Sequence, residues 1–448
     1  MRFTNCLVPA LPGDSEFSRL DVIVDADGRI VRVCHPAEPL DDADFPVVDC
    51  EGGVISPGFI DLQLNGGFSV DFSDPAITAE GIIAVLRRLP TFGVTAVCAT
   101  LISSSAEQYA HVVPLLRAIH TAGAPADCAR LLGIHFEGPY MAPARRGAHA
   151  AELLRVPASG YADLAALYCI DETDAASGLL RMVTLAPELE GAGAAITGLA
   201  ARGAVASIGH TTADGTTAES ALQAGACMVT HLYNAMEPLR HREPGVIGAA
   251  LGRLPAPARA AGAAIPSPSP PSLPHAPHDA SPRPVPFDGP PAFGLIADGV
   301  HVAPPAVALA LCASPLGTVL VTDAMRAMGE APGRYSYGPL AVEVRAGGGA
   351  GDAYAFPHVV LEGTATLAGA VLPLDACLRN LAAFTGCTPA AALATVTAAP
   401  ARVLRVSRWL GTLCAGAWAD LVLLRSPGDL AVRRTWVAGR LVYDSEAR

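Results

Sequence analysis

Four polar side chains in this sequence each stand at the end of an apolar, strand-like run. Glu137 ends one run immediately before Gly-Pro, while His210 and His231 end two others. Asp323 ends a fourth run, Val-Leu-Val-Thr-Asp. Two histidines and a carboxylate, with one position left for water, are typical of a catalytic zinc-type site, and a separate carboxylate can act as its general base. The pattern predicts a hydrolytic metal site with Glu137, His210 and His231 as ligands and Asp323 as the acid–base catalyst.

Each of these residues could, taken alone, be a hydrogen-bonded core residue. The metal site is favoured because all of them stand at strand ends, and because an unpaired buried carboxylate such as Glu137 is costly. Residues two apart on a strand share a face, so His135 lies on the same face as Glu137. His135 precedes the end of the strand, and we therefore interpret it as a core or supporting residue.

The number of metal ions is indicated by a different strand-like segment. Gln63 and Asn65 share one face of it, and their neutral amides are weak ligands for a zinc-like ion. The chain contains no lysine, since all 30 basic residues are arginines, so no carbamylated lysine can bridge two metals. We expect one divalent ion per chain, with Zn²⁺ as the first choice and Fe²⁺ or Co²⁺ also compatible.

Cationic loops follow two of the predicted ligands. Arg145, Arg146 and His149 come shortly after Glu137, and residues 240–245, Arg-His-Arg-Glu-Pro-Gly, come shortly after His231. Arginine binds phosphate through charge-assisted hydrogen bonds. A basic loop is often only a solvated loop, so phosphate recognition and simple solvation both stay open on this pattern alone.

The elements that position these residues are eight strand-like segments, most of them followed by an Ala-rich, helix-like segment. They are Gly58–Asn65, Val94–Leu101, Leu131–Gly138, Arg181–Glu188, Ala204–Thr211, Met228–Asn234, Phe293–His301 and Thr318–Ala324. Eight β/α units with polar residues at the strand ends predict an α/β fold, a (β/α)8 TIM barrel. Shorter β-like pieces at both termini, including 411–413, predict one small β-sandwich domain. The expected division is residues 1–56 plus 402–448 for that domain and 57–401 for the barrel.

One segment of the expected barrel is different in composition. Thirteen of the chain's 39 prolines fall between residues 255 and 291. Proline removes helix and ladder hydrogen bonds, and the segment is poor in residues that build a core. We therefore predict a disordered Pro-rich insertion at about 254–291, between the sixth and seventh strands.

Composition limits the partners and the compartment. The net charge of −12 argues against nucleic-acid or anionic-membrane partners, and no apolar run has the length of a membrane-spanning helix. The N-terminal residues lack the pattern of a signal peptide. Eleven cysteines without a Cys-x-x-Cys pair indicate reduced core thiols. We expect a cytoplasmic protein.

The same residues carry a resemblance to a known family, the N-acetylglucosamine-6-phosphate deacetylases of the amidohydrolase superfamily. The motifs that are similar run almost from end to end: 59–67 (Phe-Ile-Asp-Leu-Gln-Leu-Asn-Gly-Gly), 135–139 (His-Phe-Glu-Gly-Pro), 209–211, 231–236, 242–245, 297–301 (Ala-Asp-Gly-Val-His), 322–324, 411–413 and 419–422. The resemblance implies a TIM barrel with a small β domain, a homodimer, and a small-molecule amino-sugar phosphate as substrate. Gln63 and Asn65 resemble the family members that bind one metal.

Roles for individual residues follow from that resemblance. Glu137, His210 and His231 would bind the metal, Asp323 would be the catalytic acid/base, and His149 would polarise the acetamide carbonyl. The implied substrate-binding residues are Ala148, Asn234, Ala235, Arg242, Asp298, Gly299, Val300, His301, Leu367, Ala368 and Gly369, with Arg242 acting across the subunit interface. The chain differs from the family where alanines stand around Leu367 in place of the usual serine.

The resemblance implies metal-dependent hydrolysis of the acetamide of N-acetyl-D-glucosamine 6-phosphate, in amino-sugar catabolism. One alternative is the galactosamine epimer as substrate, because a single inverted hydroxyl cannot be recognised in a motif. Another alternative is a catalytically silent barrel that serves as a binding scaffold. Such a protein would be expected to have lost metal ligands, whereas all the predicted ligands are present.

Overall fold

The structure is a computed structural model and describes residues 1–9, 17–36, 38, 45–252, 289–337, 340–348, 355–364 and 367–447. Within these residues the strands are β1 (Arg2–Pro9), β2 (Phe17–Val24), β3 (Ile30–Cys34), β4 (Val47–Asp49), β5 (Val54–Pro57), β6 (Phe59–Leu64), β7 (Gly66–Gly67), β8 (Val70–Asp71), β9 (Val94–Ile102), β10 (Arg130–Glu137), β11 (Leu180–Leu185), β12 (Val205–Ile208), β13 (Met228–Val229), β14 (Ala292–Leu295), β15 (Thr318–Leu320), β16 (Gly333–Tyr337), β17 (Leu340–Arg345), β18 (His358–Leu361), β19 (Leu421–Leu424), β20 (Val432–Val437) and β21 (Arg440–Asp444). The Pro-rich insertion expected at 254–291 lies almost wholly outside the described residues.

The helices connect the strands in the order that a barrel requires. In the described part of the chain they are α1 (Ala79–Arg88), α2 (Ala106–Ala122), α3 (Tyr161–Tyr168), α4 (Glu172–Ser177), α5 (Ala192–Ala201), α6 (Gly215–Ala224), α7 (Gly245–Leu251), α8 (Pro304–Ala313), α9 (Leu374–Thr385), α10 (Pro389–Ala394) and α11 (Ala398–Val403). Local sequence sets their ends; for example, Ser105 and Gln108 form a reciprocal capping box at the start of α2. None of these helices combines the length and the apolarity needed to cross a membrane.

A parallel eight-stranded sheet forms the centre of the molecule, in the order β15-β14-β13-β12-β11-β10-β9-β6. A parallel bridge between Leu64 and Ala324 joins its two edges, so the sheet closes on itself. The predicted α/β fold, a TIM barrel with a small β domain, is confirmed. Buried apolar side chains of the N-terminal halves of the strands pack with residues 399–410 in one cluster. The interior is therefore filled at that end, and the C-terminal end is left for chemistry.

Strands from both termini form the second large sheet, in the order β21-β20-β19-β5-β1-β2-β3, with β4 paired to β1. Buried side chains from both ends of this sheet, among them Phe3, Val22, Leu421 and Trp436, pack in one core cluster. The segment 411–413, which was expected to be a strand, is not one. Nearby, Trp418 forms only an isolated bridge with Arg29.

Five barrel strands end three or more residues before their predicted ends, and the last three differ most. β13 ends at Val229, β14 at Leu295 and β15 at Leu320, whereas the apolar runs suggested strands to 234, 301 and 324. The chain leaves the ladder early because His231 and Asp323 adopt left-handed backbone conformations, which cannot continue a strand. The antiparallel sheet β16-β17-β18 was not predicted.

An ion pair connects the barrel to the small domain. Arg130 at the start of β10 donates two hydrogen bonds, of 2.8 and 3.2 Å, to the carboxylate of Asp420, which is 3% exposed. Arg130→Ala would leave a buried carboxylate without its partner, and we expect the free energy of unfolding to fall by about 3 kcal/mol. Chemical denaturation measures this loss. As the matched control, Arg87→Ala removes an Arg–Asp pair whose side chains are about half exposed and should change stability little. Equal effects of the two substitutions would contradict the argument.

Candidate active site

The predicted site residues leave the barrel strands in strained backbone conformations. His210, His231 and Asp323 have φ of 50°, 29° and 48°, in the left-handed region that non-glycine residues rarely adopt. Such conformations cost on the order of 1–3 kcal/mol each and cluster at functional sites. Gly209 immediately precedes His210. A Cβ atom at this position would come within 2.8 Å of both Thr184 and Thr230, so only glycine fits between these two residues.

The side chains of Glu137, His210 and His231 converge on one point. The Nε2 atoms of His210 and His231 are 3.0 Å apart, and they lie 3.2 and 3.0 Å from Oε1 of Glu137. Ligands about 2.0–2.1 Å from a tetrahedral zinc ion stand roughly 3.3 Å from one another. The three side chains are 3–5% exposed. Their spacing, their burial and their donor atoms therefore fit a divalent cation.

Neighbouring groups fix the orientation of these candidate ligands. The backbone carbonyl of Arg145 lies 2.9 Å from Nδ1 of His210, so Nδ1 carries the proton and Nε2 keeps its lone pair for a metal. The side-chain amide of Gln63 donates a hydrogen bond of 3.0 Å to Oε1 of Glu137. Both contacts hold ligand atoms in place before any cation binds.

The electrostatics of the ligands show that a positive charge belongs at this point. Although burial opposes it, the contacts with His210 and His231 hold the pKa of Glu137 well below its usual range. Burial alone would lower the pKa of His231, but the hydrogen bond and charge of Glu137 raise it to about 9. In the metal-free chain a proton therefore takes the place that a cation would occupy.

His149 lies at the edge of the same cluster. Its ring centroid is 4.8 Å from that of His210, and ligand-type atoms of Glu137, His149 and His210 lie within 4.8 Å of one another. The backbone N–H of Ser103 donates to Nδ1 of His149 at 3.3 Å. Nδ1 is thus an acceptor, and Nε2 carries the proton. Burial lowers the pKa of His149 to about 3, so the ring is neutral and can donate a hydrogen bond from Nε2.

Asp323 is the second carboxylate of the site. Asn65 donates a hydrogen bond of 2.8 Å to its Oδ1. Burial and the negative charge of Glu137 raise the pKa of Asp323 to about 7. A carboxyl group near this pKa can both accept and return a proton at neutral pH, and a nearby cation would shift it toward the ionised form.

Comparison with known proteins identifies the family. An N-acetylglucosamine-6-phosphate deacetylase from Danio rerio is 39% identical over 398 residues, which cover 88% of this chain and 86% of the relative. The chain belongs to the N-acetylglucosamine-6-phosphate deacetylase family. Its residues 351–442 also match the amidohydrolase family.

Two further relatives of this deacetylase family are informative. The N-acetyl-D-glucosamine-6-phosphate deacetylase of Mycobacterium smegmatis is 31% identical to this chain, with a TM-score of 0.74, and the match covers 99% of each chain. That structure is an aspartate-to-alanine mutant in complex with N-acetyl-D-glucosamine-6-phosphate. An N-acetylgalactosamine-6-phosphate deacetylase from Escherichia coli O157:H7 is 32% identical over 416 residues, 93% of each chain.

The predicted substrate-binding residues of this family member fall into three groups, the first of which is the turn 298–301. Asp298 accepts hydrogen bonds of 2.8 Å from the N–H groups of Val300 and His301 and lies 2.6 Å from Nδ1 of His301. The charge of His301 acts to lower the pKa of Asp323, so this turn lies beside the site. Ala148 and Arg242 are exposed.

The remaining predicted contacts lie on loops next to site residues. The side chain of Asn234 bonds to the carbonyls of His231 and Leu232, and the carbonyl of Ala235 accepts from Thr211. The segment Leu367–Gly369 leads into Ala370, which forms a bridge with Ala324. Whether these residues contact substrate stays a prediction.

Sequence reasoning missed several partners of the site residues. It treated Gln63 and Asn65 only as missing metal ligands, whereas each donates a hydrogen bond to a site carboxylate. Their shared strand face was a usable signal. The contacts made by Ser103 and by the carbonyl of Arg145 left no signal in the sequence, because a backbone group has no residue identity.

The ligand assignment can be tested by metal binding alone. Glu137→Gln keeps the shape of the side chain but removes the only negative charge among the three ligands. Loss of an outer-shell partner typically weakens metal affinity by about 10–100-fold, and we expect a larger loss here, measured by competition with a chromophoric zinc chelator. Glu172→Gln, at an exposed carboxylate, is the control. Unchanged affinity in Glu137→Gln, or two tightly bound ions per wild-type chain, would show that the site is assigned wrongly.

Proposed function

We propose that this protein hydrolyses the acetamide of N-acetyl-D-glucosamine 6-phosphate to D-glucosamine 6-phosphate and acetate, with one bound divalent ion. Zn²⁺ suits the donor set best, and Fe²⁺ or Co²⁺ are compatible. The observation that supports this most directly is the convergence of Glu137, His210 and His231 within 3.2 Å of one another. A second carboxylate, Asp323, stands beyond the end of β15. Family membership supplies the substrate class.

The chemistry divides among the residues as follows. A divalent ion held by Glu137, His210 and His231 would polarise the acetamide carbonyl and acidify water. Asp323 accepts the proton of the attacking water while the oxygen of that water bonds to the carbonyl carbon. Asp323 then returns the proton to the sugar nitrogen as the C–N bond breaks, which releases the free amine and acetate. His149 donates its Nε2–H to the carbonyl oxygen, where negative charge develops.

The hydrogen bonds of Asp323 determine which oxygen transfers the proton. Oδ1 already accepts a hydrogen bond from Asn65 at 2.8 Å, so the proton passes through Oδ2. Because the amide of Asn65 donates to the carboxylate, it also favours the ionised form that can accept a proton. This orientation is set before substrate arrives.

Phosphate recognition is assigned to Arg242 and to the turn that contains His301. Burial alone would lower the pKa of His301, but the hydrogen bond and charge of Asp298 raise it, and the protonated ring can bind an anion. Arg242 is exposed, which suits a residue that reaches a second subunit. We propose a cytoplasmic homodimer in which Arg242 completes the site of the partner, and light scattering tests the dimer.

One alternative substrate is favoured by a specific observation. A relative that is 32% identical is named an N-acetylgalactosamine-6-phosphate deacetylase, so the galactosamine epimer is the second candidate. Acetate release from both 6-phosphates and from both unphosphorylated sugars, on protein of known metal content, distinguishes the candidates. Release from neither phosphate by metal-loaded protein would favour the binding-scaffold reading.

Asp323→Asn tests the proton shuttle. The amide keeps the shape of the side chain but can neither accept nor return a proton, and general acid–base catalysis is typically worth about 10²–10⁴-fold. We expect kcat to fall by at least about 10²-fold, with KM and metal content little changed. Near-normal kcat would contradict the assigned role, and loss of the metal would make Asp323 chiefly a ligand.

Arg242→Ala tests recognition of the phosphate. A charge-assisted hydrogen bond contributes about 1.5–3 kcal/mol, so KM for the 6-phosphate should rise roughly ten- to a hundredfold. KM for unphosphorylated N-acetylglucosamine should change far less. Arg240→Ala, in the same loop, is the control. If both sugars are affected equally, Arg242 does not bind the phosphate.

A further inference from the structure

The barrel closes between β6 and β15 without a regular ladder. Lower in the barrel, the two strands bond to an intervening segment instead of to each other: the N–H of Ile60 donates to the carbonyl of Val396 at 2.8 Å, and that of Leu320 to the carbonyl of Thr395 at 3.1 Å. Higher up, the N–H of Asp323 donates to the carbonyl of Gln63 at 2.8 Å. The residues between these two levels need another connection.

A buried carboxylate makes that connection. Asp61 is 1% exposed, and its Oδ2 accepts a hydrogen bond of 2.6 Å from Oγ1 of Thr322. Its Oδ1 accepts from the N–H groups of Thr322 and Gln63, at 3.3 and 3.2 Å. Thr322 immediately precedes Asp323, so Asp61 is bonded to both the backbone and the side chain of the residue next to the proposed base.

Asp61 has no part in the chemistry described so far. It does not belong to the metal-ligand set, and burial raises its pKa to about 6, which makes it a costly group to keep in a core. A hydrophobic pair of similar size would fill the same space with less cost. The three donors on its carboxylate instead fix one conformation of residues 322–323, where φ of Asp323 is 48°.

We infer that Asp61, through Thr322, is a positioning residue that fixes the carboxylate of Asp323 at the seam of the barrel. This inference rests on the proposed function, in which Asp323 transfers the proton. A small misplacement of a reacting group can lower a rate by up to about 10²-fold. Disruption of this contact should therefore lower kcat while the metal ligands, which come from other strands, stay in place.

The test compares Thr322→Val and Thr322→Ser with Thr435→Val. Thr435 is fully buried and donates one hydrogen bond of 2.8 Å, to the carbonyl of Pro90, so the control removes a similar hydroxyl elsewhere. We expect Thr322→Val to lower kcat about tenfold or more, with KM and zinc content within about twofold. Thr322→Ser should restore most of the rate, and Thr435→Val should leave kcat unchanged.

Asp61→Asn provides a second variant in case Thr322→Val does not fold. The amide offers one acceptor oxygen to the three donors that now bond to Asp61, which are the N–H groups of Gln63 and Thr322 and the hydroxyl of Thr322. Because the position of Asp323 is then no longer fixed, kcat should fall even if the melting temperature is kept or increased. In an Asp323→Asn background the Asp61 and Thr322 substitutions should cause no further loss, because the carboxylate that they position is already gone.

The outcomes separate this inference from the proposed function. If Asp323→Asn alone keeps its activity, the assignment of the base fails. If Asp323→Asn is inactive but Thr322→Val and Asp61→Asn retain wild-type kcat, the positioning role of Asp61 is overturned. Additive losses of kcat in the Asp323→Asn background would overturn it as well.

Discussion

Two imidazole nitrogens 3.0 Å apart, each within 3.2 Å of the same carboxylate oxygen, need a positive charge among them. With both lone pairs directed at one point, a proton or a cation must occupy it, and the raised pKa of His231 shows that the metal-free chain holds a proton there. A cation that replaces this proton releases it, so metal affinity depends on pH. Burial strengthens the requirement, because it removes the water that would otherwise screen these charges.

The barrel satisfies this requirement by ending its strands early. His210 and His231 each stand two residues beyond the last residue of a strand, Ile208 or Val229, and both turn into the left-handed region. The free-energy cost of that backbone is borne by the buried clusters on both sides of the sheet. β15 also ends early, at Leu320, and the side chain of Asp61 on β6 bonds to Thr322 beyond that end.

The sequence predicted the barrel, the three proposed ligands and the proposed base, because parallel strands produce long apolar runs with polar residues at one end. It did not predict where the strands end, since a positive φ at His231 is not encoded in a hydrophobic pattern. Nor did it predict the hydrogen bonds that orient the site. Gln63 and Glu137 are 74 residues apart, and Asn65 and Asp323 are 258 apart, and only the closed barrel makes each pair neighbours.

The antiparallel sheet β16-β17-β18, which the sequence did not predict, borders the segment that we propose to contact substrate. Leu367 forms a bridge with Val360 of β18, and three residues later Ala370 forms a bridge with Ala324. The N–H of Met325 also donates to the carbonyl of Ala370 at 2.9 Å. This sheet therefore fixes the segment 367–369 beside the strand end that carries Asp323. Because backbone pairing holds the segment, its position does not depend on a side-chain hydroxyl group.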